Sequence, residues 1–109
     1  MSEQAIPLSI AADHPAYAGH FPGRPILPGV VLLDAALQAL AERQGLQTMA
    51  GQIKSAKFLS PVRPGEALVL HATESPAGSF RFEIRCFDVH GDERGAASGS
   101  LVFSRQAAA

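Results

Sequence analysis

Apolar and charged positions alternate strictly through the second half of the chain, where Phe80, Phe82, Ile84 and Cys86 interleave with Arg81, Glu83 and Arg85. A period of two puts the apolar side chains on one side of a strand and the charges on the other, so residues 79–89 are expected to form a strand buried on one face only. Residues 52–59, 66–74 and 96–104 are three more extended candidates. They are separated by turn signals at Pro64-Gly65, Ser75-Pro76-Ala77-Gly78 and His90-Gly91-Asp92. Residues 5–11 (AIPLSIA) read as one short strand near the start. Between it and the next periodic segment, residues 13–28 contain four prolines and two glycines, which exclude regular structure and make a long, stiffened loop.

From Gly29 the period changes. GVVLLDAALQALAERQG carries Leu and Ala at helical spacing, with Gly45 where a C-terminal cap belongs, and predicts a helix over residues 29–44. At about 100° per residue, Val30, Leu33, Leu37, Leu40 and Ala41 share one face, and Asp34 projects within roughly 40° of Val30, on its flank. The order is therefore strand, loop, helix, then about four strands. Such a chain packs as an α+β domain, an antiparallel sheet curling around one helix and covering its apolar stripe. No internal repeat is visible, and residues 106–109 read as a disordered tail.

With 109 residues and 47% hydrophobic content, one domain with a real core is expected. A chain of this size gains stability by hiding a further apolar face, so a dimer is plausible from size alone. Nine basic and ten acidic side chains are interspersed, for a net charge of −1, without the basic run that a nucleic-acid backbone requires. One local imbalance stands out: Arg24, Arg43, Lys54, Lys57 and Arg63 against Asp34 and Glu42. It reads either as a surface for an acidic partner or as a solvated mixed face. Cys86 is the only cysteine, which rules out an intramolecular disulfide and a thiolate metal cluster. No secretory leader or membrane-spanning stretch is apparent, so a soluble, cytoplasmic protein is expected.

Three groups carry candidate chemistry. Asp34 is out of pattern beside an apolar stripe. A carboxylate buried there would hold its proton, as a general acid must, although a hydrogen bond from a neighbouring loop would equally account for it. His20, between Gly19 and Phe21 in the restrained loop, has the side chain whose ordinary pKa lies nearest neutrality and so suits a general base; a structural role is the alternative. His14, His71 and His90 are read as structural or solvent-facing. Gly29 opens the helix, where free N–H groups and the positive end of the dipole can hold a carbonyl oxygen as negative charge grows on it.

Residues 19–38, GHFPGRPILPGVVLLDAALQ, resemble the signature of the 3-hydroxyacyl-acyl carrier protein dehydratases, proteins of the hot-dog fold. Members carry a His in the GHFPG turn, a PG that starts the central helix and an acidic residue fourteen positions after the His, as His20, Pro28-Gly29 and Asp34 stand here. A second block, IKSAKFLSPVRPGEALVL, is similar to the family's strand pair with its P-x-x-P-G turn. The likeness spans residues 6–104, as a short member of the family.

The resemblance implies a dimer with the two sheets side by side and each active site at the interface, His20 of one protomer facing Asp34 of the other. His20 would remove the α proton, the Gly29 N–H would stabilise the enolate-like thioester oxygen, and Asp34 would protonate the departing 3-hydroxyl. Gly29, Phe21 and Val30 are the implied substrate-binding positions. The acyl group would arrive on the phosphopantetheine of acyl carrier protein, in fatty acid or related acyl-chain biosynthesis, with no metal or organic cofactor. One branch of the family has Glu at the position of Asp34. Another, which also isomerises the new double bond, has Asp, and isomerase activity does not follow from that residue alone. Two other readings stay open. A hot-dog thioesterase must activate water against the carbonyl, which the retained His20 and Asp34 argue against. A non-catalytic carrier-binding partner subunit has no need of either group.

Overall fold

The computed structural model describes residues 3–10, 13–15, 26–45, 49–75 and 78–105. They form β1 (Glu3–Leu8), α1 (Gly29–Gln44), β2 (Met49–Phe58), β3 (Ala67–Glu74), β4 (Ser79–Phe87) and β5 (Glu93–Arg105). The expected order of elements holds. The five strands make one antiparallel sheet in the order β1-β3-β4-β5-β2, with α1 against its apolar side. This is the hot-dog arrangement. The expected tail at residues 106–109 lies outside the described residues.

β4 behaves as its alternation predicts: Phe80, Phe82, Ile84 and Cys86 are buried, while Arg81 and Glu83 face water. Leu68, Leu70 and Ala72 of β3 and Leu101 and Phe103 of β5 join them in the core, where Phe80 and Phe103 meet edge-to-face at 6.0 Å, a geometry aromatic rings favour. β1 starts and ends earlier than expected because its ladder against β3 runs from Glu3↔Thr73 to Leu8↔Leu68. Pro7 is tolerated because β1 is an edge strand.

β5 begins at Glu93, three residues before the expected start, and the reason is a bulge. Ile84 pairs with Ala97 but Arg85 pairs with Gly95, leaving Ala96 as the extra residue. Ala96 and Ala97 are both fully buried, which strict alternation does not allow. Beyond the bulge the phase is reversed, and Arg94 stands opposite the buried Cys86.

α1 starts after Pro28, whose carbonyl accepts the N–H groups of Val31 at 3.1 Å and Leu32 at 3.2 Å. It ends at Gly45, which takes the left-handed conformation (φ 70°) that glycine adopts at little cost. The helix face is the main correction to the sequence reading. Leu32, Ala36 and Leu40 are buried, whereas Leu33, Leu37 and Ala41 are only half-buried and Val30 is 72% exposed. The apolar arc of α1 is wider than one sheet covers. Its centre of burial therefore sits about one residue away from the stripe that spacing selects. Among the described residues no helix is long and apolar enough to cross a membrane.

Candidate active site

Two neighbouring clefts flank the start of α1. The first, of about 560 Å³, is lined by Val30, Val31, Leu33, Asp34 and Leu37 of the helix, with Ile53 of β2 and His14 of the preceding loop. Val30 and Asp34 are four residues apart, so they fall on the same side of α1. Asp34 is exposed, and its Oδ2 accepts a hydrogen bond from Gln38 Nε2, one turn further on, at 2.8 Å. This corrects the expectation of a carboxylate on the flank of the chain's own core. The face that carries Asp34 points away from the sheet, since Leu32, Ala36 and Leu40 take the buried side. A second surface must cover Asp34 if it is to be desolvated.

Gly29 belongs to the second cleft, of about 360 Å³, with Ile26, Leu27, Pro28 and Leu32 on one wall and the segment from Phe58 to Val62 on the other. The Phe58 ring lies over Gly29 so closely that a Cβ at this position would stand 2.5 Å from its Cζ atom. Only glycine leaves the ring and the first turn of the helix this near each other. The Gly29 N–H precedes the first intrahelical bond, as the sequence reading requires.

The wall opposite Gly29 is held by an ion-pair network. Arg94 Nη2 donates to Glu66 Oε1 at 2.7 Å and to the Pro61 carbonyl at 2.6 Å; Nη1 donates to Glu66 Oε2 at 3.0 Å and Nε to Ser60 Oγ at 3.1 Å. Ser60 Oγ donates in turn to the Gly95 carbonyl at 2.6 Å. Glu66 also accepts the Arg63 N–H at 2.7 Å and the Cys86 thiol at 3.4 Å. The Arg94 hydrogen bond is the main reason that the Glu66 carboxyl is held down at about 2, against the opposing effect of burial. Burial first, and then the Glu66 charge, push the Cys86 thiol up to about 11, so it stays protonated at neutral pH and is a poor nucleophile. The bulge contributes directly, since the Ala96 carbonyl accepts the N–H groups of Leu59 at 2.9 Å and Ser60 at 3.4 Å.

Of the residues singled out from sequence, Asp34 and Val30 share the larger cleft and Gly29 lines the smaller one beside it. His20 and Phe21 lie outside the described residues. The sequence reading missed His14, which lines the cleft of Asp34, and Phe58, which closes over Gly29. Phe58 had a usable signal, because it and Leu59 place two large apolar residues just ahead of the turn-forming stretch that begins at Ser60-Pro61. His14 had none, since a lone histidine beside a proline has no periodicity to be measured against.

The sequence matches the family model described as ApeI-like, ApeI dehydratase, over residues 2–100. It is 34% identical over 111 residues to the 3-hydroxyacyl-acyl-carrier-protein dehydratase FabZ of Thermus thermophilus, covering 92% of this chain and 75% of that one. To FabZ of Lactobacillus helveticus it is 31% identical over 102 residues, 87% of this chain and 68% of the relative. Among solved structures, a chain of the dehydratase heterocomplex ApeI:P from Xenorhabdus doucetiae superposes with a TM-score of 0.75 at 25% identity, over 94% of this chain and 88% of that chain.

Proposed function

The chain belongs to the ApeI-like dehydratase family, and from that premise we propose that it removes water from 3-hydroxyacyl thioesters carried on acyl carrier protein, giving the trans-2-enoyl thioester. The observation that carries this reading is the pairing, at one end of α1, of a helix-opening Gly29 with an exposed Asp34 on the adjacent cleft. An elimination of this type needs a donor for the thioester oxygen and an acid for the leaving hydroxyl. Gly29 and Asp34 take those parts, and His20 takes the α proton as base. The thioester itself acidifies the α carbon, so the reaction written this way uses no metal or organic cofactor.

The second part of the proposal is a dimer. Ile53 and Leu37 are only half-buried, and Val30, Phe58 and Leu59 are exposed at 72%, 54% and 46%, all beside β2, an edge of the sheet. An edge strand flanked by uncovered apolar side chains is a natural joining surface. Joined there, a second subunit covers the Asp34 cleft and brings its own His20 to it. Either a second copy or a related subunit supplies that cover; the solved heterocomplex of a relative favours keeping the mixed assembly in view. Acyl carrier protein is the proposed soluble partner, with Arg63 among the basic residues that meet its acidic surface.

Incubation of the purified protein with a 3-hydroxyacyl-acyl carrier protein, followed by mass spectrometry of the acyl group, tests the reaction. A loss of water is expected. Release of free acid would replace the dehydratase by a thioesterase, and an unchanged acyl group, with the candidate partner subunit present or absent, would remove the catalytic reading.

A further inference from the structure

One continuous set of contacts runs from β5 to the start of α1. Arg94 grips Ser60 and the Pro61 carbonyl while holding both carboxylate oxygens of Glu66. Val62, the next residue, is 2% exposed, and its carbonyl accepts the Leu27 N–H at 2.9 Å. Leu27 is buried as well, and it leads through Pro28 into Gly29. Neither Arg94 nor Glu66 lines either cleft, so whatever they do for a substrate they do through this path.

We infer that Arg94 and Glu66 are positioning residues for the dehydration: together they fix residues 60–62 against residues 26–28 and thereby set where the Gly29 N–H stands relative to the thioester carbonyl. The inference rests on the reading of Gly29 as the donor to that oxygen. The choice of residues fits the task. A guanidinium satisfies two carboxylate oxygens and still reaches a backbone carbonyl in a third direction, because its donors form a planar fork. An ammonium makes the ion pair but cannot span all of these acceptors in fixed directions. Glu66 is needed to orient the fork, and its side chain is only 7% exposed, so it has little freedom of its own. A donor of this kind works only when preorganised, since small displacements of reacting groups lower rates steeply.

The test uses the full chain in its native assembly, with Arg94→Lys and Glu66→Gln beside the wild type. Steady-state kcat and KM for dehydration are measured per folded molecule, with the folded fraction taken from circular dichroism, and Leu27 amide exchange is followed by NMR. For Arg94→Lys, kcat is expected to fall about tenfold with KM changed less than about twofold, and Leu27 exchange to accelerate. Glu66→Gln should show the same split; if it does not fold, Arg94→Lys, which keeps a cation beside Glu66, decides. A purely structural pair would lower the folded fraction and leave kcat per folded molecule unchanged, and that result would overturn the inference. Absence of dehydration by the wild type would instead remove the functional reading. In that case unchanged Leu27 exchange in Arg94→Lys still overturns the positioning role, and faster exchange supports it.

Discussion

Asp34 stands in water in the single chain, with Gln38 as its hydrogen-bond partner, and the acid role proposed for it requires a surface that covers it. Asp34→Asn is expected to lower kcat by at least about a hundredfold, the scale of a lost general acid, with the fold retained, since Asn has the shape of Asp and its side-chain oxygen can still accept from Gln38. His20→Ala should behave alike, and an unaltered rate in either variant would remove that residue from the mechanism. Glu66 gives a prediction of a different kind. Its carboxyl titrates at about 2 in the folded chain against 4.5 as its ordinary value. As pH falls, the unfolded state therefore takes up the proton first. The stability this group contributes is fully present above about 4.5 and is lost as pH drops toward 2. The loss is on the order of 3 kcal/mol for a shift of this size, and it should be much reduced in Glu66→Gln when urea unfolding is compared at neutral and acid pH.

At the level of elements, the contact between Gly29 and the Phe58 ring ties the first turn of α1 to the end of β2. Gly29→Ala must push the ring aside, and the rate is expected to drop. Adding Phe58→Ala should recover part of it, a non-additivity that a double-mutant cycle reads directly. The order of elements along the chain, the turn positions and both ends of α1 were legible in the sequence, because alternation in β4 and the Gly29 and Gly45 boundaries each have one physical reading; the order of strands in the sheet was not. The buried side of the helix was not. Its run of Val, Leu and Ala is apolar over so wide an arc that spacing selects Leu33 and Leu37 as readily as Leu32 and Ala36, and only the packed sheet decides. For the same reason the sequence placed Asp34 beside the chain's own core, when it lies exposed on the side away from Leu32, Ala36 and Leu40. The early start of β5 was hidden because a bulge at Ala96 breaks the alternation by which strands are recognised.

For the molecule as a whole, the uncovered patch around Val30, Ile53, Phe58 and Leu59 predicts assembly. Ile53→Glu is expected to weaken the proposed dimer by about tenfold or more in sedimentation equilibrium, since a charge replaces an apolar group at the proposed joining surface, and activity should fall with it. Arg63→Glu should reduce affinity for acyl carrier protein at low salt and matter less as ionic strength rises; equal binding at low salt would take Arg63 off the docking surface. The bulge in β5 has a consequence for how such chains can vary. Antiparallel partners share a face, and the bulge takes up Ala96 without a partner: paired one for one, the same residues would put Gly95 opposite Cys86 and Arg94 opposite Phe87, facing away from Glu66. Excision of Ala96 would give a regular ladder with Arg94 still opposite Cys86, so the charge pair would stay while the Ala96 carbonyl that holds the Leu59 and Ser60 N–H groups would go. Length at this point and the charge pair can therefore change independently, whereas the hold on residues 59 and 60 goes with the bulge.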